Sequence, residues 1–205
     1  MRTREEIINI IDNNAKAIVD NISHESIDVY NFLKTQFENT NVTENHLFQF
    51  VYRSFYRLDN AGLTTQFKIE YFNLLHEYRQ LDNFDFSIIL QRLFAITNHQ
   101  GQNTFQFSFV TKMQNTIRND RPIYDSEVAE VFSFRRPRQN LAFDDKLNVF
   151  LEQLSIIDDT YRALIQYQNL NNIIALFNNK FLNHNLQTIK ILDFIFWSAG
   201  KVIRQ

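Results

Sequence analysis

Apolar residues recur at three- and four-residue spacing along almost the whole chain, which is the pattern of a helix face and not of a strand. Ile7, Ile8, Ile11, Ala15, Ile18, Val19 and Ile22 predict a first helix. Ile27, Tyr30, Phe32, Leu33 and Phe37 predict a second, ended by Asn39-Thr40-Asn41. Thr43 stands where it can cap a third over 44–58, and Asn60-Ala61-Gly62 reads as a stop. Thr64 or Thr65 opens a fourth helix to about Gln80, Asp82-Asn83 breaks it, and Asp85 caps a fifth through Ile96. After a polar loop at 97–104, a sixth runs from about Phe107 to Arg118. Pro122 disfavours helix in the residue before it, so 119–124 is predicted to be extended, and Asp125 caps a short seventh helix to Phe134. Two long segments, 141–168 and 170–181, and a last helix from Gln187 to Lys201 complete the pattern. The prediction is an all-α, compact bundle of nine or ten helices, one domain over 1–205. If there are two lobes, the connector at 135–140 divides them.

Composition points the same way. The chain has 3 Gly and 2 Pro in 205 residues, against roughly 14 and 10 at average usage. Sandwiches and barrels need frequent turns built on those residues, so an all-β fold is disfavoured. Neither a G-x-G-x-x-G nor a G-x-x-x-x-G-K-[ST] phosphate loop occurs. With no Cys, and with five His never at helical spacing to one another, no metal site is expected. The N-terminus lacks an apolar signal-peptide core, and no run approaches the ~20 apolar residues of a membrane span. The expectation is an intracellular, cytoplasmic protein with no membrane partner. Net charge is −2 and the pI about 6.2, so any nucleic-acid surface must be local. Arg92 and His99 loosely echo the Arg–x–His pair of HEPN-type ribonucleases, although Leu93 follows Arg92 where that family has a polar residue.

One stretch stands apart. Phe107-Ser108-Phe109-Val110-Thr111-Lys112 opens a helix, Pro122-Ile123-Tyr124 returns extended, and Asp125 begins the next helix. Helix from Lys112 to Asn119 advances ~10 Å, and six extended steps to Asp125 reach back up to ~20 Å, so the two side chains can meet without being obliged to. On its own terms Asp125 also reads as a helix cap, and Lys112 as a solvated helix lysine. Lys112, Arg118, Arg121, Arg135, Arg136 and Arg138 face Asp120, Asp125, Glu127 and Glu130 across 112–138, a local excess of +2. No acid lies between Val131 and Phe143, so Arg135-Arg136-Pro137-Arg138 can clamp phosphates.

Ser108-Phe-Val-Thr-Lys112 followed by Pro122-Ile-Tyr-Asp125-Ser-x-Val128 resembles the helix-hairpin-helix (HhH-GPD) DNA glycosylase superfamily, nearest to its 8-oxoguanine glycosylase-like branches. The tail Lys190-Ile-Leu-Asp193-Phe-Ile-Phe-Trp197-Ser-Ala-Gly-Lys201 is similar to C-terminal helices in that group. The matching covers about 105–132 and the tail. It implies base excision from double-stranded DNA carrying a damaged or modified base, with no cofactor. Asp125 is the catalytic carboxylate by this resemblance. Lys112 is the hairpin lysine that, in bifunctional members, attacks the sugar as a Schiff-base nucleophile. Arg118, Arg121, Arg135, Arg136 and Arg138 become phosphate contacts, and Phe109, Tyr124 and Trp197 base-pocket candidates. The sequence departs from the family at its Gly-x-Gly hairpin, where Phe107-Ser108 and Val110-Thr111 stand instead. The Lys112–Asp125 spacing of 13 is also shorter than is usual there. The alternative is a non-catalytic all-α module that binds DNA or protein on the same scaffold.

Overall fold

The computed structural model describes residues 1–204 and is helical throughout, with one isolated antiparallel bridge, Thr97 to Asn103, and no strand among the described residues. Eleven α-helices are present among those residues: α1 (Arg4–Asn13), α2 (Ala15–Asp20), α3 (His24–Asn39), α4 (His46–Phe55), α5 (Thr65–Glu77), α6 (Phe86–Phe94), α7 (Phe107–Ile117), α8 (Ser126–Phe132), α9 (Phe143–Gln166), α10 (Asn171–Lys180) and α11 (Thr188–Val202). Short 3-10 turns follow α4 and α5. The count exceeds the prediction because the first helix is broken at Asn14. Its side-chain amide donates to Ile10 O at 2.8 Å, the local competition with the backbone that makes Asn a poor helix interior residue. The cap of α4 also differs from expectation. Asn45, not Thr43, accepts the Phe48 N–H at 2.9 Å, while Thr43 is taken up in a turn on Asn41. Thr64 and Asp85 cap α5 and α6 as predicted, and Gly62 ends the first 3-10 turn at φ 66°, where a side chain would be strained.

The chain divides into two units, residues 1–27 with 119–205, and residues 28–118. The 135–140 segment lies inside the first unit.

In the first unit α11 is buried nearly all round, from Ile189 to Phe196 and again from Ser198 to Gly200, as a helix at the centre of its unit must be. Phe196 packs on Phe132 (5.6 Å between ring centroids) and Tyr161 (4.7 Å). Ser198 Oγ donates to Ile18 O at 2.6 Å and receives the Asn21 amide at 3.0 Å. Helix ends are closed by side chains from distant sequence. The Lys180 ammonium donates to the carbonyls of Val19, Asp20 and Ile22 at 2.8, 3.1 and 2.7 Å, at the C-terminus of α2. Arg2 does the same for α8 through Glu130 O and Val131 O.

The second unit packs around Phe48, Tyr52, Phe67, Tyr71, Phe72 and Phe107, all below 2% relative exposure or close to it. Beneath α7 the Tyr52 and Tyr71 hydroxyls lie 2.9 Å apart. Tyr71 donates to Phe109 O at 2.8 Å, and Tyr52 meets Thr116 Oγ1 at 3.1 Å. Burial pushes both phenols well above their ordinary value, so they remain neutral donors. Tyr52→Phe removes the middle of this chain and is expected to cost about 1–2 kcal/mol, read as a lower urea midpoint at unchanged slope.

Candidate functional site

Asp125 is held at the head of α8 by an extended approach. At φ −131° and ψ 159° it is the N-cap, and its carboxylate accepts the Glu127 N–H at 2.9 Å. The residues leading to it are fixed from two helices of the same unit. The Ile123 N–H donates to Asp193 Oδ1 on α11 at 3.1 Å. The Tyr124 hydroxyl donates to Gln153 Oε1 on α9 at 2.9 Å, and Gln153 Nε2 in turn donates to Arg135 O at 2.9 Å. A carboxylate offers about four acceptor directions, so capping and a second role are compatible in Asp125.

Behind the turn lies a buried polar group. Asp193 and Lys190 are 5% and 3% exposed, with Nζ 3.5 Å from Oδ2. Burial drives the Asp193 carboxyl up to about 6, against the pull of Lys190 and of the Ile123 amide, and the charge of Asp125 adds to the rise. The Tyr161 hydroxyl is buried with no hydrogen-bond partner among the described residues, and it is raised far above its ordinary value by burial and by Asp193. Asp193, Lys190 and Gln153 received no role from the sequence. The signal was a Lys and an Asp at i,i+3 inside an apolar run from Ile189 to Ile195, where only a paired charge can be buried.

Lys112 belongs to the second unit, on α7. It is 9% exposed, with Nζ 5.1 Å from the Phe109 ring centroid and 5.9 Å from that of Tyr56. It is therefore a buried lysine among rings and not the solvated one that helical spacing alone allowed.

Of the base-pocket candidates, Phe109 and Tyr124 are buried. Tyr124 packs edge-on against Phe150 at 5.2 Å, with its hydroxyl pushed up to about 12 by burial. Trp197 is partly exposed, with the Lys201 ammonium 3.6 Å above its ring centroid.

The basic residues fall into three groups. In the second unit Arg118 donates to Leu81 O at 3.2 Å and to Asp82 O, tying the end of α7 to the 81–82 backbone. In the first unit Arg121 pairs with Asp158 at 3.5 Å and approaches Asp120 at 3.9 Å. Arg135, Arg136 and Arg138 are exposed and have no carboxylate partner among the described residues. Arg92 is engaged by Glu70 at 2.8 Å and Glu77 at 2.6 Å, which neutralises the residue that echoed a ribonuclease pair.

Among the described residues there is no group of three His, Cys, Asp or Glu that could hold a metal ion, and no helix long and apolar enough to cross a membrane. Comparison of the chain with protein-family models, with curated proteins and with solved structures finds no match.

Proposed function

We propose that this chain is a DNA glycosylase-like enzyme that excises a damaged or modified base from double-stranded DNA. The observation that carries the reading is the Pro122–Asp125 turn, which presents a carboxylate at the head of α8 and is braced by Asp193 and Gln153. That is the turn on which the helix-hairpin-helix resemblance rests. Departure of the base leaves an oxocarbenium-like sugar, and the Asp125 carboxylate stabilises that charge electrostatically. Lys112 is the nucleophile of an accompanying AP-lyase step, in which its neutral amine condenses with the C1′ aldehyde of the abasic sugar, water leaves as the Schiff base forms, and loss of a C2′ proton expels the 3′-phosphate. Arg135, Arg136 and Arg138, exposed and without carboxylate partners among the described residues, supply phosphate contacts. Arg118 and Arg121 remain in the proposed contact set as ancillary members, given their present engagements.

A second reading is favoured by one observation. The Asp125 carboxylate accepts its own helix amide, as a residue with only a capping role does. On that reading the chain is a non-catalytic DNA- or protein-binding module. Asp125→Asn separates the two, because Asn caps as well as Asp. Stability is expected to stay within about 0.5 kcal/mol, so any loss of chemistry belongs to the charge. Trapping with borohydride on a duplex carrying an abasic site tests the lyase. A covalent protein–DNA adduct is expected from the wild type and not from Lys112→Gln. An adduct that survives Lys112→Gln in full yield removes Lys112 from the mechanism.

A further inference from the structure

Asp193 touches the Asp125 turn at the Ile123 backbone amide, two residues before the carboxylate, and does so from the most buried helix of its unit. The cost of burying a charge there is large, and an apolar residue of similar size would pack in its place without it. What Asp193 supplies that an apolar side chain cannot is an acceptor for the Ile123 N–H. Ile123 is 7% exposed, so an unmet donor at this point is costly and the segment would turn to satisfy it elsewhere. Lys190, at i−3 on the same helix, compensates the charge from the other oxygen, and Tyr161 on α9 faces it with a protonated hydroxyl. The chain of contacts then runs from Asp193 to Ile123 N–H, along the extended backbone to Asp125, and from its carboxylate to Glu127 N–H.

We propose that Asp193 is a positioning residue for Asp125: it fixes the Pro122–Asp125 turn by holding the Ile123 amide, with Lys190 present to make a buried carboxylate tolerable. The catalytic part of this inference rests on the function proposed above; the structural part does not.

The test compares two charge-free variants of the full chain. Lys190→Met/Asp193→Asn keeps a carbonyl acceptor at 193, and Lys190→Met/Asp193→Leu removes it. The readouts are amide hydrogen exchange at Ile123 and Glu127, and kcat and KM for base release. The Leu variant is expected to exchange both amides about tenfold faster than the Asn variant. Its kcat is expected to fall about tenfold or more with KM within about twofold, since a turn displaced by a fraction of an ångström misplaces the carboxylate without touching DNA binding. Equal exchange at Ile123 in the two variants overturns the proposal, and so does faster exchange with unchanged kcat. If the wild type releases no base, the proposed function fails by that result alone. The exchange ratio at Ile123 and Glu127 then decides by itself whether Asp193 holds the turn.

Discussion

Replacing Lys190 with Met is expected to cost about 3–5 kcal/mol of stability at pH 7, because it leaves a buried carboxylate without its cation. Lys190 and Asp193 are both almost wholly out of water, and the pair is a loose 3.5 Å contact. Even with that partner, burial dominates and raises the Asp193 carboxyl from 3.8 to about 6. The folded chain therefore binds this proton more tightly than the unfolded chain does. The contribution of Asp193 to stability is greatest below about pH 4 and declines as pH rises to about 6. In Lys190→Met the carboxyl rises further, so the decline continues to higher pH. Lowering the pH from 7 to 5 should then recover part of the loss. Adding Asp193→Asn removes the buried charge while keeping the acceptor for the Ile123 N–H and should recover most of it, a coupling that a double-mutant cycle reads directly. Chemical denaturation of the four proteins at pH 5 and 7 makes the measurement. A Lys190→Met chain as stable as the wild type at pH 7 contradicts the account.

Gly200→Ala is expected to destabilise by about 3 kcal/mol or more, although the same change at an exposed helical position gains about 1 kcal/mol. The reason is the approach of α11 to α8. A Cβ built at Gly200 would lie 2.1 Å from Glu127 O and 2.7 Å from Glu127 Cα, and backbone cannot rotate away as a side chain can. The two helices must separate, which opens contacts along the most buried helix of the unit, and overpacking of this kind is costly. The loss also reaches the candidate site, because Glu127 is the residue whose amide Asp125 caps. Thermal unfolding of Gly200→Ala should show a fall in Tm of several degrees at least. An unchanged or raised Tm would mean that the helices do not touch as described.

The helices were legible because their apolar spacing is regular and their caps are ordinary: Thr64, Asp85 and Asp125 cap where the sequence places them. Asn14 was not legible as a break, since its neighbours keep helical spacing and only its side-chain bond to Ile10 O interrupts the ladder. Thr43 was read as the cap of α4, and the competing turn on Asn41 takes it up and leaves the cap to Asn45. The division of the chain at 27/28 and 118/119 leaves no mark in composition, because no Gly- or Pro-rich linker accompanies it. Within the site, Asp125 could be read from its place before a helix. Asp193 could not, because its partner Ile123 is 70 residues away and the contact is to backbone. The arginines show the same limit. A run of positive residues does not reveal that Arg121 is balanced by Asp158 while Arg135, Arg136 and Arg138 have no carboxylate partner among the described residues.

The most direct test of the proposed chemistry is the release of free base from a panel of duplexes. Each duplex carries one oxidised or otherwise modified base, with the freed base identified by mass spectrometry. Release is expected from at least one member of the panel, with a rate that falls about 100-fold or more in Asp125→Asn while that variant remains folded. Release that is unaffected by Asp125→Asn, or no release from any duplex, would contradict it.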